Sequence, residues 1–295
     1  MIIVLLGPTC SGKSSLAIKI ASFVNGVIVN ADPYQAYKEL NIGVAKPSEE
    51  DFKKVKHYLY SIQSVDEPLT IYSFQKIFRN CIDNLLKENI NIVVVSGSGL
   101  YLKSALYDYD FVQFKVDNKE KYLKLSNEEL YQMLIQRDKE TANKIHINNR
   151  KRIIHALDIL DNLPDGVNKI DFENKQSHKC IYDNVHFLGL NIDREILYSN
   201  INNRVDEMIK NGLKDEAIDV FKNHPSTLSS LTAIGYKEFL LRIVDSEIIN
   251  LIKKNTRNYA KRQMTFFKNQ FENVVWFDDS SKLYDYVIEN YGRNI

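Results

Sequence analysis

The stretch from Gly7 to Ser14, GPTCSGKS, limits the architecture more than any other, because it fits the phosphate-loop pattern G-x-x-x-x-G-K-[ST] at every fixed position. Such a loop works only between a strand and a helix. Both neighbours are there: Ile2 to Leu6 is a short, apolar, β-branched run that reads as a buried strand, and Ser14 to Val24 follows with helical periodicity. In that setting Gly7 and Gly12 permit the tight turn, the loop amides face inward, and the helix N-terminus adds partial positive charge. Together they make an anion socket. Lys13 then neutralises terminal phosphates, and the Ser14 hydroxyl helps to hold a magnesium ion. Diphosphate, triphosphate and nucleotide all fit such a socket. A glycine-rich turn with a surface lysine would have the same letters.

Periodicity extends the reading. Val27 to Asn30 reads as a second strand, residues 72–89 as an amphipathic helix with Ile77, Phe78, Cys81, Ile82, Leu85 and Leu86 on one side, and 90–96 as another buried strand. That rhythm predicts a parallel sheet covered by helices. From about 110 to 180 the texture changes to short polar helices and loops, with a capping box at Ser126 and Glu129 and an exposed connection over 162–179. A strand at 185–192, helices at 194–211, 213–223, 235–243 and 246–271, and a short strand at 274–277 follow. The expected fold is α/β: a P-loop NTPase-like parallel sheet flanked by helices, built from 1–109 and 181–295, with a mainly helical insertion at 110–180.

Composition excludes several classes. A net charge of +1 rules out a uniformly basic surface, so any nucleic-acid contact has to be a local patch. Cys10, Cys81 and Cys180 lie far apart without a C-x-x-C pair, which argues against a zinc site or a disulfide framework and fits a reducing cytoplasm. No apolar run approaches the roughly 20 residues of a membrane span, so no membrane partner is expected.

A P-loop ATPase normally ends a second buried strand in an acid that serves the magnesium shell. Here that strand ends in Ser96. The other acid in a suitable place is Asp32, which follows VIVNA at the carboxyl edge where α/β sheets bind ligands; a turn residue preceding Pro33 would look the same. Between Leu251 and Gln270 stand six basic residues, Lys253, Lys254, Arg257, Lys261, Arg262 and Lys268, with Tyr259, Phe266 and Phe267 among them and no acid. Such a helix suits RNA phosphate and bases, and equally suits an amphipathic core helix with solvated charges.

Taken together, these blocks resemble the tRNA dimethylallyltransferases. Gly7 to Ser14 matches G-P-T-x-S-G-K-[ST], Asp32 to Tyr37 matches D-S-x-Q-x-Y, NIGVAKP at 41–47 looks like I-G-T-A-K-P, and SGSGLY from 96 corresponds to G-G-T-G-L-Y. IHINNRKRIIHALDIL (145–160), NRVDEMIKNGLKDEA (203–217), AIGYKEF (233–239) and TRNYAKRQMTFFK (256–268) continue in family order. The resemblance implies that the loop, Gly7, Pro8, Thr9, Cys10, Ser11, Gly12, Lys13 and Ser14, together with Arg204, takes the diphosphate of dimethylallyl diphosphate, with magnesium on Ser14. It implies Asp32 as the base that accepts a proton from the adenine amine, with Ser98 and Lys13 beside the reaction. It further implies contacts to a tRNA anticodon stem-loop from Asp32, Pro33, Tyr34, Gln35 and Ser98, from Lys151, Arg152, Ile153, Ile154 and His155 in the insertion, and from Arg257, Lys261, Arg262, Gln263, Phe266 and Lys268. A monomer in the cytoplasm is expected. Without the resemblance, Arg204 would read as a solvated helix charge.

Pro33, Val44, Ser98, His155, Phe266 and Lys268 depart from the family's Ser, Thr, Thr, Arg, Trp and Arg, and Asn149 from its Asp. His155 is the most consequential of these, since it replaces a permanent cation. The rival readings are a small-molecule kinase using ATP, with Asp32 activating an acceptor hydroxyl, an RNA-binding protein with a degenerate loop, and a prenyltransferase for free adenine nucleotides.

Overall fold

The computed structural model of the chain describes residues 1–112, 119–164, 167–174, 179–225, 232–241 and 243–292. It divides into two compact units, Met1–Leu106 with Tyr182–Ile295, and Tyr107–Ile181.

The first unit is a parallel sheet of β1 (Ile2–Leu6), β2 (Gly26–Asn30), β3 (His57–Tyr58), β4 (Asn91–Val95), β5 (Val185–Leu190) and β6 (Val275–Phe277), in the order β3-β2-β4-β1-β5-β6. All five residues of β1 are buried, as a strand flanked on both edges and both faces requires. Register sets the functional edge. Leu5 lies opposite Val95 and Asn30 opposite Val95 on its other side, so the chain leaves β1, β2 and β4 side by side. The segments that follow, the P-loop, Asp32 and Ser96–Gly97, therefore share one edge of the sheet.

In chain order the helices are α1 (Lys13–Phe23), α2 (Glu49–Lys54), α3 (Ile71–Lys87), α4 (Gly99–Leu106), α5 (Lys119–Leu123), α6 (Asn127–Arg137), α7 (Lys139–Asn143), α8 (Arg150–Asn162), α9 (Lys169–Asn174), α10 (Arg194–Lys210), α11 (Leu213–Asn223), α12 (Asp245–Gln270) and α13 (Ser280–Tyr291). Leu16, Ala17 and Ile20 of α1 and Leu283 and Val287 of α13 join the sheet's Ile3, Leu5, Ile28 and Val93 in one core. Truncating a buried leucine such as Leu16 would cost about 2–5 kcal/mol. On α3, Phe74, Phe78, Ile82 and Leu85 are buried, spaced three or four apart as one helical stripe.

The second unit has its own core of Tyr122, Leu130, Leu134, Ala142, Ile153, Ala156, Leu157 and Leu160. The capping box forms as read: the Ser126 hydroxyl accepts from the Glu129 amide at 3.2 Å, and Glu129 Oε2 accepts from the Ser126 amide at 2.8 Å.

Three expectations change. The helix at 235–243 is only a 3-10 turn, Lys237–Leu240, because Gly235 takes φ 93° and the Glu238 carboxylate captures its amide at 2.9 Å. The connection at 162–179 contains α9, whose Ile170 is buried; residues 165–166 and 175–178 of that stretch lie outside the described residues. The third is α13, an addition to the expected elements, although Asp279 caps it and Leu283 and Val287 give it an apolar stripe. No helix among the described residues is long and apolar enough to cross a membrane.

Candidate active site

The P-loop turns from β1 into α1 with Gly12 at φ 87° as the helix cap. Thr9 to Ser15 line a cavity of about 270 Å³, which Asp32, Gln35, Ser96, Gly97 and Arg204 also border. Gly7 and Pro8 are buried behind that wall. Lys13 is 7% exposed and donates to the Pro8 carbonyl at 2.6 Å. Burial pulls its ammonium down from 10.5 to about 7; Cys10 and Asp32 oppose this, and the charge of Arg204 reinforces it. Among the described residues the buried Ser11 hydroxyl has no hydrogen-bond partner. Arg204 of α10 reaches the loop, with Nη1 3.6 Å from Cys10 Sγ.

Across the cavity Asp32 is fixed by residues that no local motif announces. Fully buried Asn30 donates to the Asp32 and Leu59 carbonyls, each at 2.9 Å, and accepts from the Asp32 amide at 2.9 Å. Asp32 Oδ1 accepts from the Tyr34 amide at 3.0 Å. Its Oδ2 approaches Gly97 so closely that a Cβ there would stand 2.6 Å away, so only glycine leaves the carboxylate room. Burial raises the Asp32 carboxyl above the ordinary aspartate value, opposed first by the Tyr34 amide and then by the Lys13 charge. Gln263, 4% exposed on α12, accepts from the Thr9 amide at 2.8 Å and donates to the Gly97 carbonyl at 2.6 Å, which the Tyr259 hydroxyl also reaches at 2.9 Å.

A second cavity, also of about 270 Å³, shares Thr9, Cys10, Asp32, Val44, Arg204 and Tyr259 with the first and continues between Gly43–Ala45, Met208 and Thr232–Gly235. Asp32 thus stands on a wall common to a phosphate-type socket and a more apolar chamber.

Other expected residues fall into distinct places. Ser96, where a nucleotide enzyme would carry an acid, donates its hydroxyl to the Ala31 carbonyl at 2.9 Å and accepts from the Ser98 amide at 2.9 Å. Ser98 lines neither cavity, and its amide is held by Ser96 Oγ next to Gly97. Pro33 is buried, Tyr34 bonds Thr232 through its hydroxyl at 2.9 Å, and Gln35 donates to the Val44 and Ala45 carbonyls at 2.9 and 3.2 Å. On α8 Lys151, Arg152 and His155 are exposed and Ile154 is half-buried, whereas Ile153 is enclosed in the core, which assigns its side chain to packing. On α12 the two readings of the basic stretch hold on different faces. Ile252, Ala260 and Phe267 are core, while Lys261, Arg262 and Phe266 line a surface groove of about 520 Å³, and Lys268 is exposed. Arg257 does not join them: it is half-buried, donates to Asn202 Oδ1 at 2.7 Å and lies over the Tyr198 ring. Gln263, likewise expected at RNA, is buried in the bracket described above.

Comparison with known proteins decides among the readings. A family model described as IPP transferase matches residues 35–270. The chain belongs to the IPP transferase family. The match begins after the P-loop and Asp32 and includes Ser98, Arg204 and all of α12. The tRNA dimethylallyltransferase of Macrococcus caseolyticus (strain JCSC5402) is 35% identical over 305 aligned residues, covering 100% of this chain and 96% of its own length. That of Anoxybacillus flavithermus (strain DSM 21510 / WK1) is 37% identical, covering 94% and 90%. The crystal structure of a tRNA delta(2)-isopentenylpyrophosphate transferase from Staphylococcus epidermidis superposes with a TM-score of 0.71 at 31% identity, over 100% of this chain and 99% of that one. A eukaryotic dimethylallyltransferase acting on tRNA superposes at 0.84 with 24% identity, over 99% and 77%, which is a likeness of fold.

Proposed function

We propose that this IPP transferase moves the dimethylallyl group of dimethylallyl diphosphate to the N6 amine of the adenosine 3′-adjacent to the anticodon of tRNA. The observation that carries this reading is Asp32 on the wall shared by the two cavities, with Lys13 and Arg204 on one side of it and an apolar chamber on the other.

The chemistry follows from that placement. An adenine amine is a poor nucleophile, and its proton is too weakly acidic to be removed beforehand. As nitrogen bonds to the allylic carbon, the carbon–oxygen bond breaks, its electron pair leaves with diphosphate, and Asp32 takes the amine proton. The allylic carbon spreads its developing charge over the π system, so the main task is to stabilise the departing anion. Lys13, Arg204, the loop amides and the Ser11 hydroxyl serve that purpose. Among the described residues no group of three or more histidine, cysteine or acidic side chains is placed to hold a metal. The exposed Ser14 hydroxyl fits magnesium that takes most of its ligands from diphosphate and water. When bound there, magnesium offsets charge on the leaving group.

The adenosine has to leave its stack to bring the amine to Asp32, which implies a flipped base. Exposed Lys261, Arg262 and Lys268 with Phe266 on α12, and Lys151, Arg152 and His155 on α8, supply charge and stacking for the anticodon stem-loop. The protein acts as a cytoplasmic monomer. Against the kinase reading stands Ser96, whose hydroxyl is engaged in joining strand ends. Incubation with labelled dimethylallyl diphosphate, magnesium and unmodified tRNA should place label in RNA. Absence of label there, with phosphate transferred from ATP to a small acceptor, would overturn the proposal.

A further inference from the structure

Three stretches, 41–47, 203–217 and 233–239, supply nothing named in the chemistry above except Arg204, yet they meet at one carboxylate. Glu216 of α11 accepts from three consecutive amides: Asn41 at 3.2 Å, Ile42 at 2.9 and 3.0 Å through its two oxygens, and Gly43 at 3.2 Å. It also accepts from the hydroxyl of fully buried Tyr236 at 2.6 Å. The Tyr236 ring lies so close to Gly43 that a Cβ there would meet it at 2.4 Å. From the far side Lys46 donates to the Tyr37 carbonyl, to Asn41 Oδ1 at 3.0 Å and to Ser61 Oγ at 2.9 Å. The loop between these two tethers bears Gly43, Val44 and Ala45 on the wall of the apolar chamber, opposite Thr232–Gly235, and its Val44 and Ala45 carbonyls hold the Gln35 amide.

We infer that Glu216 is a positioning residue for the acceptor: by gathering the amides of residues 41–43 and the Tyr236 hydroxyl, it sets the width of the chamber that receives the base beside Asp32. This rests on the prenyl-transfer reading. A carboxylate is the chemistry the place demands, because it offers only acceptors to four converging donors; an amide would turn an N–H₂ against backbone N–H groups. None of the P-loop residues Thr9–Ser14 is among its partners, and of the loop it tethers only Val44 borders both cavities, so the larger effect falls on the substrate in the chamber.

The test is steady-state kinetics of Glu216→Gln with dimethylallyl diphosphate and an unmodified anticodon stem-loop, alongside a thermal melt. KM for the RNA should rise about tenfold or more, as expected when a charge-assisted hydrogen bond is removed, while KM for the donor stays near that of the unaltered protein and the melt remains a cooperative transition at a modestly lower temperature. Glu216→Asp should recover part of the loss. Tyr236→Phe keeps the ring against Gly43 and removes one donor, so it should give a smaller rise of the same kind, and it decides the matter if Glu216→Gln does not fold. Unchanged RNA kinetics in a folded variant, or parallel increases in both KM values, would overturn the inference, the latter by showing a merely structural role. If the unaltered protein transfers no label to RNA, it is the functional reading that fails, and this inference falls with it.

Discussion

On one side of the candidate site the P-loop runs through eight consecutive residues, while the wall that faces it is assembled from Asn30, Asp32, Gly97, Tyr259 and Gln263. The Gln263 side chain bonds the Thr9 amide across 254 positions of chain. The first kind of construction needs only a strand, a turn and a helix in sequence. The second depends on sheet register and on the identity of each side chain. The donor end should therefore respond to changes in charge, and the acceptor end to the loss of single side chains.

The largest expected effect tests the assembled side. Asp32→Asn keeps the shape but removes the proton acceptor, so single-turnover transfer should fall by about 10²-fold or more, with donor and RNA dissociation constants within a few-fold of those before the change. A rate within a few-fold would take Asp32 out of the chemistry and leave the P-loop as the one catalytic element of the comparison.

A smaller effect is expected on α12. Changing Lys261 and Lys268 together to glutamine should flatten the salt dependence of RNA binding by roughly one log–log unit for each phosphate that is no longer neutralised, without touching donor affinity. Arg257→Gln should leave that slope unchanged, because its guanidinium is bound to Asn202. An altered slope for Arg257→Gln, or none for the lysine pair, would reverse the assignment of the two faces.

The smallest effect belongs to the P-loop side. With its pKa near 7 in the free protein, Lys13 is partly neutral at physiological pH. A bound diphosphate favours the ammonium and raises that value. Donor affinity is thus fully present below about pH 7 and declines as pH rises through the bound-state pKa, several-fold between pH 7 and 8. Calorimetry should show proton uptake on donor binding in that window, and Lys13→Ala should bind more weakly with a flat profile. A Lys13→Ala profile that still declines would place the titration elsewhere.

What can be read from the sequence follows the same division. The P-loop, Asp32 at a strand end and the parallel alternation are visible because each depends on neighbours in the chain. Asn30 is hidden because its partners include Leu59, and Gln263 because its partner is the loop itself. Ser96 looks in the sequence like a missing acid; only the register shows that it joins the ends of β2 and β4. Helical spacing puts Arg257 on a face with Lys261 and Lys268, but spacing says which residues are neighbours on a helix and nothing of what lies opposite, here Asn202 and Tyr198. Glu216 stands in one of the family-like blocks, but nothing there gives it a role, since three stretches have to fold together before that role exists.

The strand order also has a meaning in time. β1 lies between β4 and β5, and the whole of Tyr107–Ile181, with a core of its own, is synthesised between those two neighbours. On the ribosome the strand leading into the P-loop therefore keeps one edge open until residue 190 has emerged, while the intervening unit can already fold. An open apolar edge invites wrong pairing. The covering of α1 comes later still, because its partners Leu283 and Val287 lie in the last helix. Changes that delay the β5 segment should thus reduce the yield of soluble protein rather than the activity of the molecules that finish.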